Sequence, residues 1–144
     1  MSLPEPEPGL VISYAYLWRH EHNKGQEEGR KNRPGVIVLR VENRETGQPR
    51  VMVAAITHTP PHSDTIAIEL PLAVKRHLGL DSERSWIVLD EVNQFDWPGY
   101  DLRPLPDSKT KFAYGFIPPK LYELVKATLF AANAKRKVTI IPRD

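Results

Sequence analysis

Arg30-Lys31-Asn32-Arg33-Pro34-Gly35-Val36-Ile37-Val38-Leu39 and Val51-Met52-Val53-Ala54-Ala55-Ile56-Thr57-His58 decide how this chain reads. The first is a cluster of cations running into a β-branched segment, Gly35 to Val41, which reads as a central strand. The second, Val51 to Thr57, alternates Val51, Val53, Ala55 and Thr57 with Met52, Ala54 and Ile56 and ends on a hydroxyl and an imidazole. Between them, Asn43-Arg44-Glu45-Thr46-Gly47-Gln48-Pro49 reads as a hairpin connection. Antiparallel pairing would bring Arg33, at one strand's start, beside Thr57 and His58, at the other's end. A guanidinium beside a hydroxyl and an imidazole suits an anion, and a phosphodiester is the anion favoured.

Outward from that pair, Gly9 to Leu17 reads as a first strand with apolar groups on both faces, hence well buried. Trp18 to Arg33 has no usable periodicity and reads as a long charged surface loop. Thr65 to Leu70 is a short strand. Pro71 to Leu78 is a short helix, with Pro71 at its first turn and Gly79 as its left-handed cap. Ser85 to Asn93 reads as one strand, and Asn93 to Leu102 as an aromatic, turn-rich loop. The clearest single element is a helix starting at Pro119, with Leu121, Leu124, Val125, Leu129 and Ala132 as its apolar stripe. Lys135, Arg136 and Lys137 complement the dipole at its end, and Val138 to Ile141 adds an edge strand. The sum is an α+β domain: five or six short, mostly antiparallel strands, one C-terminal helix and one short helix, arranged as a compact domain or small barrel.

Bulk composition narrows the function. A chain of 144 residues is one domain by length, here residues 9–144 behind a flexible proline-rich leader at 1–8. Zero cysteines exclude disulfides and thiolate metal sites and fit a cytoplasmic protein. No apolar run approaches a membrane span. The acidic start, Met1-Ser2-Leu3-Pro4-Glu5-Pro6-Glu7-Pro8, does not read as a signal peptide. A net charge of +2 permits nucleic-acid binding only through a local basic patch. No glycine-rich phosphate loop, nucleophile elbow or Cys–His pair is present.

The order of the pieces resembles the MazF/PemK (Kid-like) toxin family. Gly9-Leu10-Val11-Ile12-Ser13-Tyr14 sits where that family opens with a strand. Arg33-Pro34-Gly35-Val36-Ile37-Val38 matches its Arg-Pro strand, and Val53-Ala54-Ala55-Ile56-Thr57 a strand ending in threonine. Leu80 to Ser85 followed by Trp86-Ile87-Val88-Leu89-Asp90 resembles its later loop-to-strand segment. The resemblance covers about residues 9–130. It implies an SH3-like antiparallel barrel, a homodimer, and a metal-independent endoribonuclease that cleaves single-stranded RNA by 2′-OH attack. It also implies control by an antitoxin protein, with operator DNA bound by the pair. The family's active-site arginine and threonine fall on Arg33 and Thr57.

Proton transfer needs a further group. His58 is the candidate, with His20 and His22 next. Arg30, Lys31, His20 and His22 are expected to form a substrate-binding rim, and Trp97 to stack on a base. No cofactor and no metal are expected. A metal site using His20, His22 and His58 is a lesser reading. The alternative is a non-catalytic nucleic-acid- or protein-binding module on the same barrel.

Overall fold

The computed structural model describes residues 3–25 and 32–143. Eight strands and three helices follow one another: β1 (Leu10–Tyr14), α1 (Arg19–Asn23), β2 (Arg33–Glu42), β3 (Pro49–Thr57), β4 (Ala67–Glu69), α2 (Leu72–Leu78), β5 (Trp86–Val88), β6 (Glu91–Asp96), β7 (Ala113–Phe116), α3 (Pro119–Ala134) and β8 (Thr139–Pro142). The architecture is α+β with a mostly antiparallel sheet. Its main path runs β4-β5-β3-β2-β1-β7, with β6 pairing β3 and β8 pairing β6 in parallel. Among the described residues, β4, β7 and β8 each have a single paired neighbour, so these pairings leave the sheet open.

Period-two alternation sorts the side chains into two cores. Leu10, Ile12, Tyr14, Ile37, Val51, Val53 and Ala55 pack on one face with Phe95 and Trp97. Val11, Val36, Ala54 and Ile56 face the other way, under Val74 and Leu78 of α2 and Val125 and Leu129 of α3. The β2–β3 register slips between Ile37 and Leu39, so one extra residue is held in β2. Val38 and Leu39 consequently both serve the helix-side core. The Tyr122 hydroxyl donates to the Val38 carbonyl at 2.9 Å and ties α3 to that bulge.

Gly35 is required by a close approach. A Cβ there would lie 2.7 Å from Val53 Cγ1, and Gly35 pairs with Ala55 across the β2–β3 ladder. This pins the entrance to β2 against the end of β3.

Several expected elements are redrawn. The stretch from Trp18 to Arg33 is not all loop: α1 forms because Glu21 Oε1 accepts the Trp18 N–H at 3.1 Å, satisfying a helix-start donor, while Glu21 is itself buried. The run Ser85 to Asn93 is two strands, β5 and β6, broken at Leu89 and Asp90, each pairing a different stretch of β3. Ala113–Phe116 is a further strand, beside β1. On α3 the buried stripe is Val125, Leu129 and Ala132, while Leu124, about one hundred degrees further round the helix, is exposed. Lys135 to Lys137 lie past the last turn. Lys135 is the C-cap, and Arg136 is left-handed at φ 57, so that the Lys137 N–H reaches the Ala132 carbonyl at 2.9 Å.

Within the N-terminal segment Pro6 is buried, and Glu5 and Glu7 flank Arg40 of β2 at 3.6 and 2.9 Å. Among the described residues no helix is long and apolar enough to cross a membrane.

Candidate functional site

The β2–β3 ladder builds the site. Gly35 pairs with Ala55, and two residues beyond that pair Arg33 begins β2 and Thr57 ends β3. Both line two neighbouring cavities. One, of about 360 Å³, also holds His58, Lys75, Asp81 and Ser85. The other, of about 400 Å³, also holds Trp18, His20, His62, Asp90 and Glu91. Arg33 and Thr57 therefore belong to the shared wall.

Arg33 is held by stacking. Its guanidinium carbon lies 5.2 Å from the centre of the Trp18 ring. Its Nε is buried and has no hydrogen-bond partner among the described residues. Burial lowers its pKa from the ordinary arginine value, with Glu21 and Tyr16 acting in the opposite sense. An arginine donor left unpaired off the solvent costs about 1–3 kcal/mol, which an anion in either cavity would recover.

Thr57 is buried, and its Oγ1 accepts the Thr59 N–H at 3.2 Å. That turn fixes the hydroxyl oxygen and leaves its hydrogen to donate elsewhere.

His58 is clamped rather than free. Its Nε2 lies 2.8 Å from Asp81 Oδ2 and its Nδ1 3.2 Å from Glu83 Oε2. Making both contacts as hydrogen bonds needs an N–H on each ring nitrogen. A ring that carries both N–H groups is a proton donor.

Behind the clamp stands Lys75, buried on α2. Its Nζ donates to Asp81 Oδ1 at 2.6 Å, to Ser85 Oγ at 2.7 Å and to the Glu83 carbonyl. Burial raises the Asp81 carboxyl. Hydrogen bonds from Lys75 and from the Glu83 N–H, with the charges of Lys75 and His58, outweigh that and hold it below the usual range. Ser85 accepts from Lys75 and donates to the Glu83 carbonyl, so it has no base to activate it as a nucleophile.

The second cavity carries carboxyls of the other kind. Burial pushes Asp90 and Glu91 up from their ordinary values. Glu91 Oε1 accepts the Arg19 N–H at 3.0 Å and the Tyr16 hydroxyl at 3.3 Å. Burial, then the Glu91 charge, pushes the Tyr16 phenol well up.

No family model, curated protein or solved structure matches this chain. The site stands on its own geometry.

Of the residues expected from sequence, the fold brings Arg33, Thr57 and His58 to one cavity. His20 lines the second cavity and His22 is exposed outside both. Arg30 and Lys31 lie outside the described residues. Trp97 is not a stacking platform: it is 7% exposed and packs in the core, its ring 6.3 Å from that of Phe95. Tyr100, by contrast, is exposed.

His20, His22 and His58 form no metal cluster. Among the described residues, the group that offers three ligand atoms within 4.8 Å is His58, Asp81 and Glu83, all exposed. The Lys75 ammonium already occupies the Asp81 carboxylate, which opposes a second cation there.

Sequence reading missed Lys75, Asp81, Glu83 and Glu91. One signal was present: in Leu72–Leu78, Lys75 sits between Val74 and Leu78 on the buried face.

Proposed function

We propose that this chain is a metal-independent endoribonuclease of the MazF/PemK type, cleaving single-stranded RNA at the wall formed by Arg33 and Thr57. The observation that carries the reading is the buried Nε of Arg33, which has no partner among the described residues, on a guanidinium stacked on Trp18 and lining two cavities together with Thr57. A scissile phosphate placed there receives the guanidinium and the Thr57 hydroxyl. Attack by the 2′-oxygen builds charge on the phosphoryl oxygens, and these fixed donors stabilise it without reorganising. The new O2′–P bond forms as the P–O5′ bond breaks, leaving a 2′,3′-cyclic phosphate and a 5′-hydroxyl. In-line displacement puts the entering and leaving oxygens on opposite sides of phosphorus. His58, on the Asp81 side, supplies the proton to the leaving oxygen.

On this reading the open sheet is an SH3-like barrel in kind. The protein works in the cytoplasm as a homodimer, an antitoxin segment covers the groove, and the pair binds operator DNA. The test is purified protein with unstructured RNA in excess EDTA, beside Arg33→Ala. Cleavage by the wild type and a loss of about 100- to 1,000-fold in the variant are expected. Equal cleavage by both, or none by the wild type across varied sequences, overturns the reading. One observation favours the alternative, a binding module on the same fold: both His58 ring nitrogens are already engaged. RNA bound with Arg33-dependent affinity but left intact would select it.

A further inference from the structure

We propose that Glu91 is the general base of this site, taking the 2′-OH proton from the Trp18 side of the wall. The inference rests on the endoribonuclease reading and deepens it.

In-line geometry sets the requirement. His58 lines one cavity beside Arg33 and Thr57, and the second cavity that shares these two residues is where a separate base can stand. That cavity offers Glu91, Asp90, His20 and His62 as proton acceptors. Glu91 is held most firmly. Its Oε1 is fixed by the Arg19 N–H of α1 and the Tyr16 hydroxyl, and Oε2 has no hydrogen-bond partner among the described residues. One oxygen anchored and one open is the arrangement a positioned base needs.

The groups facing it are Tyr16 from beyond β1, Arg19 from α1 and Asp90 beside it. Arg33, His20 and His62 share the cavity. Burial raises the carboxyl from its ordinary value, against the Arg19 and Tyr16 hydrogen bonds and with the Asp90 charge, toward working pH. In the step, Glu91 takes the 2′-OH proton as O2′ bonds to phosphorus. The P–O5′ bond breaks and O5′ takes a proton from His58. The enzyme ends with Glu91 protonated and His58 short one proton, and exchange with water resets both.

A purely structural role is the competing account, since Glu91 tethers the start of α1. Glu91→Gln separates the two, because the amide oxygen keeps both accepted hydrogen bonds but takes no proton. With the same RNA in EDTA, Glu91→Gln is expected to cleave about 100- to 10,000-fold more slowly. Its thermal midpoint should be at or above that of the wild type. The rise of rate with pH on the acid side should vanish, whereas Asp90→Asn keeps it. Should Glu91→Gln fail to fold, Tyr16→Phe serves instead: losing a donor to the carboxylate moves the acid limb to higher pH. A well-folded Glu91→Gln cleaving at the wild-type rate, an acid limb lost in Asp90→Asn instead, or an unmoved limb in Tyr16→Phe overturns this assignment alone. A wild type that does not cleave overturns the endoribonuclease reading with it.

Discussion

The Lys75 ammonium lies 2.6 Å from Asp81 Oδ1, although Lys75 is 2% exposed and the Asp81 side chain 52%. A buried charge is thus paired with a carboxylate at the cavity rim, and the far oxygen of that carboxylate holds His58. Burying an ammonium costs several kcal/mol unless every proton finds an acceptor, and Lys75 has three. Lys75→Met is expected to destabilise by about 1–3 kcal/mol, because Asp81 and the Glu83 carbonyl lose a donor. Urea unfolding measures it. A change within about 0.5 kcal/mol, the range of an ordinary surface substitution, would mean that the network adds no net stability.

Acid should act on the same pair. The folded-state pKa of Asp81 is depressed, so its stabilisation is full above the unfolded value, about 3.9, and disappears as pH falls through the folded one. The gap in stability between wild type and Asp81→Asn should therefore be largest near neutrality and close below about pH 4. Glu91 carries the opposite sign. Its folded pKa is raised, so its burial costs stability at high pH and nothing below about 4.3. Relative to wild type, Glu91→Gln should gain stability as pH rises. Thermal melts between acid and neutral pH read both trends. Parallel curves for Asp81→Asn and wild type would rule out the linkage.

Gly35→Ala tests the entrance to β2. Its Cβ would meet Val53 Cγ1 at 2.7 Å within a paired region, where neither strand can retreat without disturbing the ladder. Overpacking of this kind costs about 1–3 kcal/mol. On the proposed endoribonuclease reading, because Arg33 lies two residues upstream, RNA cleavage should fall by more than the unfolded fraction explains. Activity scaled to the folded fraction, set beside urea midpoints, separates the two effects. A neutral variant would show that Val53 has room to turn.

The features that were readable from sequence are those with a local cause. Period-two alternation marked β1 and β3 and their two faces, β-branched content marked β2, and Gly79 capped α2 in the left-handed conformation as expected. Pairing of the two strands as a hairpin was enough to expect Arg33 near Thr57, although the bulge in β2 was not legible. What stayed hidden depends on distant partners. Ser85 to Asn93 reads as one apolar run, and only the turn of β3 between two neighbours divides it into β5 and β6. Nothing near Trp97 distinguishes a core ring from a surface one; Phe95 and the strands beneath it decide that. The carboxylates that clamp His58 lie 23 and 25 residues further along the chain, brought back by α2 and the loop after it.

Arg33→Lys asks whether shape or charge matters at the wall. Lysine keeps a positive charge on a flexible stem, but it has no Nε–H beside the chain and no planar fork to lie on Trp18. If Arg33 acts by directing two donors at one phosphate, Arg33→Lys should lose about 100-fold or more in kcat/KM. RNA affinity at low salt should stay near the wild type's, and the salt dependence of binding should be unchanged. Arg33→Met should lose cleavage and also flatten the salt dependence by roughly 0.7 in the log–log slope, one single-strand phosphate contact. Titrations with uncleavable 2′-deoxy oligonucleotides at several salt concentrations give the binding half, and initial rates on RNA the other. Cleavage by Arg33→Lys at the wild-type rate would mean that charge alone suffices. The unpartnered Nε would then have no part in the chemistry.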